Sequence, residues 1–152
     1  MPVVRGLVLL LVAALTLAAC GGSGKKTTTP PETGPSPAFT KQTITNNWES
    51  FFSSKTNVSG KVRLLQNGER FRQVVTGFAN NPLAKNVSAT VSSVTLQGAN
   101  KAKVVYAVKF GGSSLGRQTG FAVHENGVWK VGDASLCKLI ALGGTTPSAC
   151  RS

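Results

Sequence analysis

Apolar positions with helical spacing dominate the chain from residue 44 to residue 78. Ile44, Trp48, Phe51 and Phe52 fall at i, i+4, i+7 and i+8, which puts all four on one helix face. Val58, Val62 and Leu65 follow at i, i+4 and i+7, with Thr56 or Asn57 as N-cap and Gly68 as the stop. Phe71, Val74, Val75 and Phe78 repeat the stripe and end before Asn80-Asn81-Pro82. Gly60 and Gly77 each weaken their helix by about 1 kcal/mol.

Beyond Pro82 the period changes from 3.6 to 2. Val87, Ala89 and Val91 alternate with polar residues, and Val94 and Leu96 continue on the opposite parity. A β-bulge at Ser92-Ser93 restores the facing, because it adds one residue to the strand. Ala102, Val104, Tyr106, Val108 and Phe110 form the clearest strand, with Lys101, Lys103 and Lys109 on its other face. Thr119, Phe121 and Val123 mark a third strand, and Trp129 and Val131 a fourth.

Parity sets an expected register. Joining Phe110 to Arg117 across a Gly111–Gly116 loop pairs Tyr106 with Phe121 and Val104 with Val123, so large apolar residues meet. A two-residue Asn126-Gly127 turn would pair Val123 with Lys130, whereas a three-residue Glu125-Asn126-Gly127 loop pairs Val123 with Trp129 and Phe121 with Val131. The three-residue loop is the expectation, with Gly127 in the left-handed position. It places His124 on the face away from Trp129. Asp133 then caps a short helix with Leu136, Leu139 and Ile140 inward, stopped by Gly143. Helices, then a meander, then a helix predict an α+β fold: N-terminal helices against a curved four-stranded antiparallel sheet, cone-like, with a short C-terminal helix.

The N-terminus has another character. Arg5 precedes a twelve-residue apolar run from Gly6 to Leu17, too short for a spanning helix of about 20 residues but right for a signal peptide. Leu17-Ala18-Ala19-Cys20 resembles the lipobox of bacterial lipoproteins, which implies lipid transfer to Cys20 and cleavage before it. Prolines 30, 31, 35 and 37 and many Gly, Ser and Thr fill the next stretch, which has no apolar periodicity and reads as a spacer. Its hydroxyls are candidate acceptors of O-linked sugars. The expected organisation is therefore a signal peptide over 1–19, a lipidated Cys20 with a tether to 38, and a domain over 39–152. The membrane would be met through the acyl anchor, on the outer face of the cell.

The 152 residues contain three cysteines. Assigning Cys20 to lipid leaves Cys137 and Cys150, an even pair in an oxidising compartment. A disulfide is expected, two buried thiols being the alternative. Closing that loop would contribute roughly 3 kcal/mol on the chain-entropy model.

Several segments together resemble the C-terminal domain of the mycobacterial low-molecular-weight secreted antigen family. They are Trp48-Glu49-Ser50-Phe51-Phe52, Lys61-Val62-Arg63-Leu64-Leu65-Gln66-Asn67-Gly68, Ala102-Lys103-Val104-Val105-Tyr106, Glu125-Asn126-Gly127-Val128-Trp129-Lys130-Val131, and Ser135-Leu136-Cys137-Lys138-Leu139 with distal Cys150. The resemblance covers roughly residues 41–150. It implies a cone of the nuclear-transport-factor-two-like (cystatin-like) type and an exported actinobacterial protein, and it brings no catalytic residues.

Related cones host isomerases and dehydratases, so catalysis is the competing reading. One histidine and five acids leave little for a metal cage or proton relay. With His124 on the outer face, Asp133 as a cap and Glu125 in a turn, no carboxylate or imidazole points inward; Tyr106 does, but a core tyrosine is usually packing with its hydroxyl satisfied. The Gly111–Gly116 stretch lacks the Gly-Lys-Ser/Thr ending and following helix of a phosphate loop. No catalytic residue, metal or cofactor is expected. Trp48, Phe52, Tyr106 and Trp129 are the candidate pocket lining. A roomy cavity among them with a buried carboxylate would favour an enzyme; aromatics filling the space would favour a binding module for a protein, an envelope polymer or a small apolar ligand. The net charge of +12 would suggest nucleic acid in the cytoplasm, but export removes that partner. Anionic envelope lipid or polymer replaces it, with Lys101, Lys103, Lys109 and Arg117 as contact residues. A basic surface without any ligand is the plain alternative.

Overall fold

Ser36 starts the first helix: its hydroxyl accepts the Phe39 N–H at 3.3 Å, and Pro37 occupies the first helical position, where no N–H is needed. In the computed structural model, which describes residues 34–151, this helix is α1, Pro37–Phe52. It begins inside the stretch assigned to the spacer. The signal segment, Cys20 and most of the tether lie outside the described residues. Ile44, Trp48, Phe51 and Phe52 are buried, as their spacing requires.

Helix α2, Val58–Arg63, is capped by Asn57, whose Oδ1 accepts the Gly60 N–H at 2.8 Å. Leu65, expected in its stripe, lies past its end and is fully buried in a parallel bridge to Val131. Gly68 does not stop α2 but opens a 3-10 turn, Gly68–Phe71. A Cβ there would sit 1.9 Å from the Val62 carbonyl oxygen, so close approach demands glycine. Helix α3, Arg72–Asn80, buries Val75 but leaves Phe78 42 % exposed. A second 3-10 turn, Pro82–Asn86, leads into the sheet.

Strands β1 (Ser88–Leu96), β2 (Lys101–Phe110), β3 (Ser113–Glu125) and β4 (Val128–Val131) form an antiparallel meander in chain order. The sheet is curved and unclosed. The β1–β2 register shifts between Val91 and Ser93, so the bulge is where the parity change puts it. Glu49 of α1 anchors it, accepting the Val91 N–H at 2.9 Å.

The two hairpin registers differ from expectation. Strand β3 begins at Ser113 after only Gly111-Gly112, both at positive φ, as a two-residue turn requires. A further register shift between Ala107 and Lys109 then sets Tyr106 opposite Gln118, Val104 opposite Gly120, and Ala107 opposite Arg117. The second hairpin uses the two-residue turn: Asn126 and Gly127 have φ of 52° and 74°, and Val123 pairs with Lys130 and His124 with Trp129. The first correction has a packing cause. The core face of β3 carries the small residues Gly120 and Ala122, because Trp48 already fills that space: a Cβ on Gly120 would meet its Cη2 at 2.9 Å. Phe121 turns outward, 37 % exposed, beneath the Lys101 ammonium at 4.4 Å.

Helix α4, Asp133–Ala141, has Gly132 rather than Asp133 as its N-cap. Asp133 is instead the first helical residue and accepts from Asn67 Nδ2 at 2.8 Å. Past its end the left-handed glycine is Gly144, not Gly143. The helix continues the edge of β3 beyond β4: Ser135 Oγ accepts the Phe121 N–H at 2.8 Å, and the Gly132 N–H donates to the Phe121 carbonyl. Glu32–Ser152 closes into one compact unit with its own core. Among the described residues no helix is long and apolar enough to cross a membrane.

Candidate functional site

Three of the four candidate pocket aromatics meet in the core. Trp48 packs edge-on against Tyr106 with centroids 5.0 Å apart, and Phe52 stacks on Tyr106 at 5.8 Å. They fill the space between α1 and the sheet. Burial pushes the Tyr106 hydroxyl up to about 12, so it stays protonated. The Trp48 Nε1–H is buried with no acceptor. Trp129 sits elsewhere, 5.0 Å from the His124 ring. His124 thus shares a face with Trp129, contrary to expectation, because the shorter turn reverses its parity.

Beside this filled core lies a cavity of about 660 Å³, within the roughly 300–1,000 Å³ of small-molecule sites. Of the four candidate aromatics, only Phe52 lines it. Its inner wall is Phe51 and Phe52 of α1 with Val108 and Phe110 of β2. Helix α4 supplies Leu136, Leu139 and Ile140, and α3 supplies Val75. The mouth is apolar too: Phe78, Leu115 and Leu142 line it while 42, 44 and 57 % exposed. These are half of the large apolar side chains exposed among the described residues, gathered at one opening.

The charged groups lining the cavity are Lys61 of α2 and Lys85. Lys61 is held in place: its Nζ donates to the carbonyls of Phe51 and of Ser53, the latter at 2.7 Å. These are open carbonyls at the C-terminal end of α1, where the helix dipole favours a cation. Burial pulls the Lys61 amine down to about 8. An ammonium has three hydrogens, so one remains beyond those two bonds. Lys85 is exposed.

Among the described residues no carboxylate or imidazole lines this space. Glu49 holds the bulge, Glu69 pairs with Arg72 at 2.7 Å, Glu125 bonds Gln66, and Asp133 bonds Asn67. Among the described residues no three His, Cys, Asp or Glu side chains gather as metal ligands. A second, shallower cleft of about 590 Å³ runs past Arg63, Glu69, Arg70 and Glu125, with acids and bases mixed along it.

Lys101, Lys103 and Lys109 are exposed on the outer face of β2. Arg117 shares that face but lies opposite Ala107, not Phe110. Cys137 and Cys150 are bonded, with Cα atoms 5.6 Å apart, which ties α4 to the C-terminal turn. Sequence reasoning missed Lys61 as a site residue. Its one trace is its place next to Val62, at the border of a buried stripe.

A sequence model of the family described as "Low molecular weight antigen MTB12, C-terminal domain" matches residues 37–147, from the first residue of α1 to just short of Cys150. No curated protein matches the chain.

Proposed function

Because the chain belongs to the low molecular weight antigen MTB12 family, whose C-terminal domain it carries, we propose that it is an exported, antigen-like envelope protein. In this reading a lipid on Cys20 holds it at the outer face of the cell membrane, and its α+β domain is a non-catalytic binding module. The observation that carries the binding role is the cavity itself. Its walls are mostly apolar, with the Ser54, Thr56 and Thr145 hydroxyls among them, and its charged groups among the described residues are two amines. Such a lining retains a ligand by burial, with no carboxylate or imidazole to pair with its amines as an acid–base couple.

The anchor rests on the run from Gly6 to Cys20. A single acyl chain holds a protein only weakly, so stable attachment takes two or more chains or a second signal. The outward row Lys101, Lys103, Lys109 and Arg117 is suited to supply that second signal by contact with anionic envelope lipid or polymer. About 1 kcal/mol per basic residue near such a surface is the usual scale. A protein partner is a further candidate for the exposed face.

Fractionation tests the anchor: Cys20→Ala should move the full chain from membrane to soluble fractions, and an unchanged distribution would refute lipid attachment. For the basic face, Glu32–Ser152 should bind anionic vesicles more tightly than zwitterionic ones, and less at high salt. Changing Lys101, Lys103 and Lys109 together to Ser should abolish that difference. Equal binding before and after would leave the charge a solubility feature.

A further inference from the structure

We propose that the cavity between α1, α3, α4 and the end of β2 binds a single-chain amphiphile, an alkyl tail with an anionic carboxylate or phosphate head, with the Lys61 ammonium as the head's contact. This deepens the binding-module reading above and rests on it. Four observations converge. The space is about 660 Å³ and walled by side chains from four elements, so it is a built feature of the fold rather than a gap at one joint. The lining is mostly aliphatic and aromatic, with the Ser54, Thr56 and Thr145 hydroxyls as its neutral polar side chains, so a sugar or nucleotide, polar along its whole length, would leave most of its polar atoms unpaired. The mouth is ringed by Phe78, Leu115 and Leu142, exposed to water at a cost that a bound apolar tail would remove. Finally, the charges at the cavity are of one sign, Lys61 and Lys85, while all four acids among the described residues are engaged elsewhere.

The Lys61 position selects the head. Its ammonium is oriented by the Phe51 and Ser53 carbonyls, so it is fixed before any ligand arrives, and its remaining hydrogen is available to an anion. A cationic head would be repelled. A neutral head would gain no charge-assisted bond and would lose the discrimination that polar groups confer. Lys85, exposed at the rim, adds attraction without orientation.

Glu32–Ser152 contains the whole cavity and its own core and disulfide, so it is the material to titrate. The probe is dansyl-undecanoic acid, displaced by alkyl carboxylates of 8 to 14 carbons, their methyl esters, and dodecyl phosphate. Affinity should rise roughly tenfold for every two carbons added. Each acid should bind at least tenfold more tightly than its methyl ester. Dodecyl phosphate tighter than dodecanoate assigns a phosphate head, and the reverse a carboxylate. Lys61→Met should bring acid and ester to the same affinity; if that variant does not fold, the acid-to-ester ratio in the native chain still decides. Ala79→Trp, an exposed position of α3 that faces the cavity, should abolish binding while leaving the melting temperature in place. No dependence on chain length, acid and ester held alike, or unaltered binding by Ala79→Trp would each overturn the proposal. So would uptake onto vesicles in proportion to lipid surface with no monomeric acid bound, which would make the apolar rim a membrane contact. Retained Cys20-dependent membrane attachment and salt-sensitive vesicle binding alongside any of these results would show that this inference alone has failed.

Discussion

A methyl group on Gly120 would stand 2.9 Å from Trp48 Cη2 and 3.0 Å from Ser135 Cβ, closer than packed carbons tolerate. Gly120→Ala should therefore lose about 1–3 kcal/mol in denaturant unfolding. In a Trp48→Phe background, where the ring recedes, the loss should shrink; equal losses in both backgrounds would remove Trp48 as the cause. Lys61 gives a second prediction at this scale. Its amine titrates near 8 in the folded chain against an ordinary 10.5. Between those values the unfolded chain holds more protons at this site, so the site's contribution to stability rises with pH. Below 8 the cost of burying the charge is present in full. The native chain should therefore gain stability relative to Lys61→Met from pH 8 to pH 10.5. A flat difference would place the amine at its unperturbed value. Either protonation state keeps the two bonds to the Phe51 and Ser53 carbonyls, since a neutral amine still carries two hydrogens.

Among the elements, β1 shows how a side chain fixes a strand defect. The Glu49 carboxylate accepts the Val91 N–H beside the bulge. Glu49→Ala leaves that N–H without its partner and should cost about 1–3 kcal/mol, whereas Glu49→Gln keeps an acceptor and should cost less. Hydrogen exchange at Val91 should accelerate in the first variant; unchanged exchange would refute the anchor. This bulge was legible in the sequence because inserting Ser92 inverts the apolar parity between Val91 and Val94. The helices were legible for a similar reason, since Ile44, Trp48 and Phe52 recur at a helical period. Hairpin registers were not. Matching large residue to large residue pairs Tyr106 with Phe121, a sound rule between two strands in isolation. It fails here because Trp48, supplied by a helix more than 70 residues away in sequence, occupies the volume over β3 and leaves room only for Gly120 and Ala122. Once β3 shifts, His124 and Phe121 exchange faces.

For the whole molecule, the site was less legible than the fold. A cavity is the volume that several elements fail to fill, and no periodicity within any one of them encodes it. The four candidate aromatics illustrate this: only Phe52 reaches the cavity, while Leu139, Ile140 and Phe78, singled out by no pocket reading, form its walls. The disulfide acts at this scale. Cys137 and Cys150, separated by 13 residues, close a loop whose opening should cost about 3 kcal/mol on the chain-entropy model. Cys137→Ser with Cys150→Ser should lower stability by that order in chemical denaturation, and a loss near zero would mean that the bond constrains nothing.

One result of that bond concerns timing. Helix α4 brings Leu136, Leu139 and Ile140 to the cavity, and Cys137 at its middle ties it covalently to the C-terminal turn. Thiols stay reduced in the cytoplasm and oxidise beyond it. On the export route proposed above, a newly made chain would carry this wall as an unlatched door and gain its latch only after crossing the membrane. The domain would be loose at its place of synthesis and tight at its place of work. Oxidation would then serve as the molecule's clock, marking which copies have left the cell.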